Sequence, residues 1–177
     1  GGRRGTARAA RRARAAWETG GDVIIAFGAT PLGTAGTFRR LGESLSQGAA
    51  VAVLAFDAAD PKGYGRVLTE GGQVVAIREE KDASEDERRT HLSNAGLMAP
   101  SGTHALRLLT RIGNHNAAGE YYLTDAVALA AEEGLRVAVV SLDEAEAPGV
   151  NRRVQLPEAA AAIQGRLRRA AQLGGAT

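Results

Sequence analysis

Ala49-Ala50-Val51-Ala52-Val53-Leu54-Ala55-Phe56 runs for eight residues without a polar side chain. A stretch this short and this apolar reads as a strand covered on both faces. A helical segment from about Thr37 to Ser46 precedes it. Ahead of that lies Asp22-Val23-Ile24-Ile25-Ala26-Phe27, a second short apolar run that also predicts a strand buried on both faces. Apolar strand alternating with helix is the signature of βαβ units. Further out, Val137-Ala138-Val139-Val140 predicts a last strand, and Thr103 to Ile112 and Thr124 to Glu133 predict amphipathic helices. Thr124 is placed to cap the second, with Asp125 in its first turn where the helix dipole favours an acid. A helix from Gln155 to Leu173 closes the chain, with Pro157 tolerable only near its first turn.

The middle of the chain obeys a different pattern. Arg66-Val67-Leu68-Thr69 and Val74-Val75-Ala76-Ile77 flank Glu70-Gly71-Gly72-Gln73, which predicts a β-hairpin with a Gly-Gly turn. Asp82 to Arg89 reads as a solvated helix, and Leu92 to Ala99 as a strand interrupted at Asn94-Ala95-Gly96. The fold class is therefore α/β with a mixed sheet, without internal repeat or long linker.

Composition narrows the possibilities. The 177 residues suit one domain with a real core, and 44% apolar and 24% charged residues are ordinary for a globular protein. No stretch approaches the ~20 apolar residues of a membrane helix, and no secretion signal is visible, so the cytoplasm is the expected compartment. With no cysteine, disulfides, thiolate metal sites and a cysteine nucleophile are excluded. His91, His104 and His115 lack metal-site spacing and read as solvated or loop residues.

The net charge of +2 hides an asymmetry. Six arginines (Arg3, Arg4, Arg8, Arg11, Arg12, Arg14) lie in the first fourteen residues, and without them 16 basic residues face 20 acidic ones, a body of −4. Residues 1–20 thus read as an Arg/Ala-rich helical arm and residues 21–177 as the domain proper. Such an arm suits nucleic acid or organellar targeting. No aromatic residues interleave the arginines to stack bases, and an exposed helix carrying them is the favoured reading. Gly1 in place of Met predicts a natural start elsewhere.

Polar signatures punctuate the apolar runs: Gly63-Tyr64-Gly65-Arg66, Glu79-Glu80-Lys81-Asp82-Ala83, Asn94-Ala95-Gly96, Gly119-Glu120-Tyr121-Tyr122-Leu123-Thr124-Asp125 and Gly149-Val150-Asn151. Each falls where a strand or loop ends, and ligands of open α/β sheets bind in that crevice. Taken singly, each has a plain structural explanation. Gly65 starts a hairpin, Glu79 adds one more surface charge, Asn94 marks a bulge, Tyr121 packs at a rim, and Asn151 caps the last helix. Jointly they point to a polar site for a sugar and a nucleotide.

In this order and at these intervals, the signatures resemble the uridyltransferase (pyrophosphorylase) domain of the bacterial bifunctional N-acetylglucosamine-1-phosphate uridyltransferases / glucosamine-1-phosphate acetyltransferases. The resemblance covers about Gly5 to Thr177. It implies a Rossmann-like nucleotide-diphospho-sugar transferase fold. It also implies a reaction: UTP and N-acetylglucosamine 1-phosphate give UDP-N-acetylglucosamine, a peptidoglycan and lipopolysaccharide precursor, and pyrophosphate, with Mg2+ as cofactor. By position, it places Gly5 and Thr6 on the uridine. Phe27, Gly28 and Ala29 fall on an aromatic-Gly-Asp stretch, and Gly65, Glu79 and Asn94 on the sugar. It adds Glu120, Tyr122 and Thr124 to the sugar pocket and makes Asn151 a magnesium ligand.

Departures from the family pattern set further expectations. The family's first strand, Gly-rich loop and lysine have no counterpart here, the metal-binding aspartate is Ala29, and the histidine after Gly-Thr is Arg8. These changes fall on phosphate and metal handling, so no residue is assigned a catalytic role and uridyltransferase activity of this chain is expected to be impaired. The hexapeptide repeats of the acetyltransferase domain are also missing, so the family's trimer is not implied. Three readings follow: a uridyltransferase, a non-catalytic fragment or sugar-nucleotide-binding module, and a nucleic-acid-binding protein using the arginine arm.

Overall fold

The computed structural model describes residues 5–28, 30–147, 149–150 and 153–175. Its elements in chain order are α1 (Thr6–Arg12), α2 (Arg14–Trp17), β1 (Ile25–Ala26), α3 (Ala35–Ser46), β2 (Val51–Asp57), β3 (Arg66–Glu70) and β4 (Gln73–Arg78). There follow α4 (Glu85–Arg88), β5 (Leu92–Pro100), α5 (Gly102–Arg111), α6 (Asp125–Glu132), β6 (Val137–Ser141) and α7 (Leu156–Leu173).

The apolar run at Ala49–Phe56 becomes β2, buried from Val51 to Phe56. Alternate side chains of a strand face opposite ways. Val51, Val53 and Ala55 accordingly join one core, packed with Leu108 and Leu109 of α5 and Val127 of α6. Ala52, Leu54 and Phe56 join the other, with Leu41 and Leu45 of α3. Helices thus cover both faces of the sheet. Strand order is β4-β3-β5-β2-β6, with β1 paired to β5. Among the described residues only β2 and β6 run parallel, from Val51↔Val137 to Ala55↔Ser141, so the sheet is mixed as expected.

The hairpin forms as read. Glu70 pairs with Gln73, and Gly71 (φ 55°) and Gly72 (φ 79°) occupy the two left-handed turn positions that glycine tolerates. Pro157 falls in the first turn of α7. The predicted helix at 82–89 shrinks to the four residues of α4. Ser84 accepts from Glu87 N–H at 3.2 Å and Glu87 from Ser84 N–H at 2.8 Å, a capping box that starts the helix.

Two expectations are corrected. The run Asp22–Phe27 is not a strand buried on both faces: only Ile25 and Ala26 pair, with Met98 and Leu97, and Ile24 is 38% exposed. β2 occupies one edge of β5 from Leu92 to Pro100, so β1 and β3 must share the other, β3 at Ser93 and β1 at Leu97 and Met98. Nor is the arginine-rich segment simply an exposed helix. Ala7, Ala10 and Trp17 are buried in the first core, and the Trp17 indole donates to Ala10 O at 2.8 Å. Arg11 reaches back to the end of α5, donating to Leu109 O (2.7 Å), Thr110 O (3.3 Å) and Ile112 O (2.6 Å). A cation near a helix C-terminus satisfies its orphan carbonyls and its dipole. Among the described residues, no helix is long and apolar enough to cross a membrane.

Candidate functional site

Sharing one edge of β5 between two strands opens a seam, and a cleft of about 640 Å³ lies along it, lined by Phe27 beyond β1 and Gly65 ahead of β3. The seam begins at a bulge. Between Val53↔Met98 and Ala55↔Asn94, β5 takes four steps against two on β2. Such an insertion re-aims side chains. Gly96 carries the kink at φ 80°, where a Cβ would stand 3.0 Å from the Phe27 ring. Asn94 Oδ1 accepts from Gly96 N–H at 3.2 Å, and Asn94 N–H donates to Gly65 O at 2.8 Å. The bulge explanation of Asn94 and its place in a cleft therefore hold together.

Gly65 and Glu79 form the next wall. A Cβ on Gly65 would sit 3.1 Å from Ile77 Cγ2 and 3.6 Å from Glu79 Oε2, so glycine lets the backbone pass close to the carboxylate. Thr124 occupies the N-cap position of α6, as expected, but its side chain makes no capping hydrogen bond. Its hydroxyl donates instead to Glu79 Oε1 at 2.9 Å, so the position is as expected and the use of the side chain is not.

The opposite wall is laced to the first helix. Gly5 (φ 80°) presses on the backbone of Tyr121, where a Cβ would come within 2.2 Å of the carbonyl oxygen. Ala7 N–H donates to Tyr121 O at 3.1 Å, and Leu123 N–H to Thr6 Oγ1 at 3.3 Å. Arg11 lies 5.0 Å above the Tyr121 ring, a cation–π contact that keeps Tyr121 in a packing role. Asn116 folds the loop over 116–120, donating to Glu120 O at 2.5 Å and accepting from Glu120 N–H at 3.1 Å.

Electrostatically the cleft is acidic. Burial raises the Glu79 carboxyl above its ordinary value, helped by Asp82 and opposed by the Thr124 hydroxyl. Asp125 is raised by burial and by the neighbouring Glu79. The Tyr122 hydroxyl is pushed up to about 12 by burial and by the charges of Asp82 and Glu79. No lysine or arginine is among the described residues of the lining.

The structure brings Gly5, Thr6, Phe27, Gly65, Glu79, Asn94, Glu120, Tyr122 and Thr124 to this cleft. Gly28 is not part of the lining, and Ala29 and Asn151 fall outside the described residues, although Thr30 and Gly149 reach the rim. The cleft is also lined by Gly63, Tyr64, Ala95, Gly96 and Gly149, which stand inside quoted signatures without being nominated, and by Ala9, Thr30 and Ala147, which carry no polar pattern of their own. The Tyr64 ring is held edge-on against Phe56, centroids 5.0 Å apart.

Magnesium prefers several oxygen ligands. At the two positions the resemblance nominates, Ala29 has no side-chain oxygen and Asn151 has one neutral amide oxygen. No three His, Cys, Asp or Glu side chains gather for a metal among the described residues. Ala29 and Asn151 by themselves do not make a magnesium site.

No family model matches the chain. Curated proteins do. It is 56% identical over 176 residues to the bifunctional protein GlmU of Azorhizobium caulinodans, 54% to that of a Bradyrhizobium species and 55% to that of Xanthobacter autotrophicus. Each match covers 99% of this chain, which spans only 39% of the relative's length. Among solved structures, a Bacillus anthracis protein assigned as a glucose-1-phosphate thymidylyltransferase superposes with a TM-score of 0.63. That match covers 80% of this chain and 54% of the other, at 14% identity. It bears on the fold alone, which is of the Rossmann-like nucleotide-sugar transferase type.

Proposed function

We propose, for a chain homologous along 99% of its length to part of the GlmU proteins, that its cleft holds the amino sugar and nucleotide of UDP-N-acetylglucosamine. The reaction of this lineage joins UTP to N-acetylglucosamine 1-phosphate: a sugar-phosphate oxygen bonds to the α-phosphorus and pyrophosphate leaves. One observation carries the reading. Nine residues nominated from widely separated segments line a single cavity of about 640 Å³, a volume suited to a ligand of this size.

Glu79 accepts from sugar hydroxyls, and Thr124 fixes the orientation of its carboxylate. Asn94 uses its oxygen on Gly96 N–H, leaving Nδ2 to donate to an N-acetyl carbonyl. Buried polar groups of this kind reject ligands that leave them unpaired. Gly5 and Thr6 frame the nucleotide end.

Phosphoryl transfer rests on positioning and charge neutralisation. The described lining offers no cation, and Ala29 offers no metal ligand. These two facts favour the second reading, a sugar-nucleotide-binding module with little turnover of its own.

Calorimetry with UDP-N-acetylglucosamine and a pyrophosphate-release assay on the purified chain separate the two. We expect saturable binding, abolished in Glu79→Gln, and pyrophosphate release at background. Absence of binding would remove the pocket assignment. Robust release that depends on magnesium would make the chain a working uridyltransferase.

A further inference from the structure

We propose that Arg66 and Glu80 are a positioning pair that sets the sugar-facing wall of the cleft by holding the loop Gly63–Gly65 against Glu79. The Arg66 side chain is only 2% exposed, unusual for a cation and costly unless it is paired. Its Nη2 meets Glu80 Oε2 at 2.7 Å, and its Nη1 donates to Tyr64 O. The same Glu80 oxygen accepts from Gly63 N–H at 3.0 Å. One guanidinium and one carboxylate therefore pin the loop at both Gly63 and Tyr64.

Neither member of the pair belongs to the cleft lining, yet each is bonded in sequence to a residue that does: Gly65 before Arg66, and Glu79 before Glu80. Arg66 pairs with Arg78 at the end of the β3–β4 ladder, so Gly65 and Glu79 lie one step beyond the last paired residues. There the ladder no longer fixes their separation, and the ion pair takes over. Arg88 braces it from outside, its Nη2 donating to Glu80 O at 3.3 Å. The planar fork of arginine spans a carbonyl and a carboxylate together, which a lysine ammonium does not reproduce.

The ligand part of this inference rests on the proposed sugar-nucleotide pocket, and the test keeps the two apart. Amide hydrogen exchange is followed in the whole chain for wild type, Arg66→Lys, Glu80→Gln and the double variant R66M/E80M, whose apolar pair avoids a lone buried charge. UDP-N-acetylglucosamine affinity is measured in parallel. With Val53 of β2 as the internal reference, Gly63 exchange is expected to accelerate about tenfold or more in the double variant. Affinity is expected to fall about tenfold, with Arg66→Lys failing to restore it.

Unchanged protection at Gly63 overturns the proposal whether or not any ligand binds. A loosened loop with wild-type affinity overturns it too, because the pair would then position nothing. If wild type binds no sugar nucleotide while Gly63 still loosens, the loop-setting role stands and the pocket assignment falls.

Discussion

Thr124 and Glu79, 45 residues apart, are joined by a 2.9 Å hydrogen bond that connects the entry to α6 with the end of β4. A threonine preceding a helix usually spends its oxygen as an acceptor for backbone N–H groups. Here its hydroxyl is a donor, and the carboxylate it serves faces the cleft.

Thr124→Val should therefore weaken ligand binding through its effect on Glu79. The hydroxyl opposes the upward shift of the Glu79 carboxyl, so its loss pushes that group further up. Affinity for UDP-N-acetylglucosamine should drop by about tenfold, and the drop should grow as pH falls, because more of the carboxyl is then protonated. Calorimetry across a pH series checks this; a loss that stays constant down to the ordinary carboxylate range would break the link.

Glu79→Gln should stabilise the fold while abolishing binding. Glu79 is raised above its ordinary value of 4.5 mainly by burial, so the folded state holds the proton more tightly than the unfolded chain does. Stability contributed by this group is thus present below 4.5 and lost as pH rises through the raised value. Urea unfolding of the two proteins should give similar midpoints near pH 4 and a higher midpoint for the variant at pH 8. A variant less stable at pH 8 would show that the carboxylate is compensated.

Gly5→Ala should unseat the first helix. A Cβ there would meet the Tyr121 carbonyl oxygen at 2.2 Å, and φ of 80° is itself strained for alanine. A loss of about 1–3 kcal/mol is expected. Trp17 is the one tryptophan of the chain and is 3% exposed. Its fluorescence should shift to the red as α1 and α2 loosen, and unchanged emission and stability would mean that the Gly5–Tyr121 contact does not hold them.

Ala29→Asp tests the metal question. Wild-type affinity for UDP-N-acetylglucosamine should be indifferent to magnesium, whereas the variant should bind more tightly with magnesium than with EDTA. Magnesium dependence already present in wild type would mean that ligands other than residue 29 suffice.

Much of the fold is written in local pattern. β2, the hairpin and α6 follow from an apolar run, a Gly-Gly turn and helical periodicity, all of which act within a few residues. The short β1 is not legible, because an apolar run declares hydrophobicity and not how much strand edge is on offer. The docking of α1 and α2 was hidden because alanine at positions 7 and 10 gives a faint hydrophobic stripe, and because Arg11 finds its carbonyls about a hundred residues away. The cleft was legible where glycine, amide and carboxylate cluster in signatures. Arg66 and Glu80 stood inside two of them, yet nothing local says that Glu79 turns to the cleft and Glu80 to the loop.

The divided edge of β5 also separates two kinds of risk. Its intact side carries the buried β2 ladder, continued by β6, whereas the divided side is shared by the two-residue β1 and the β3–β4 hairpin. Away from Gly5, whose contact with Tyr121 also holds the first helix, residues around the opening can alter what is recognised while the ladder keeps the chain folded. Away from that contact, a change in recognition need not carry a change in structure.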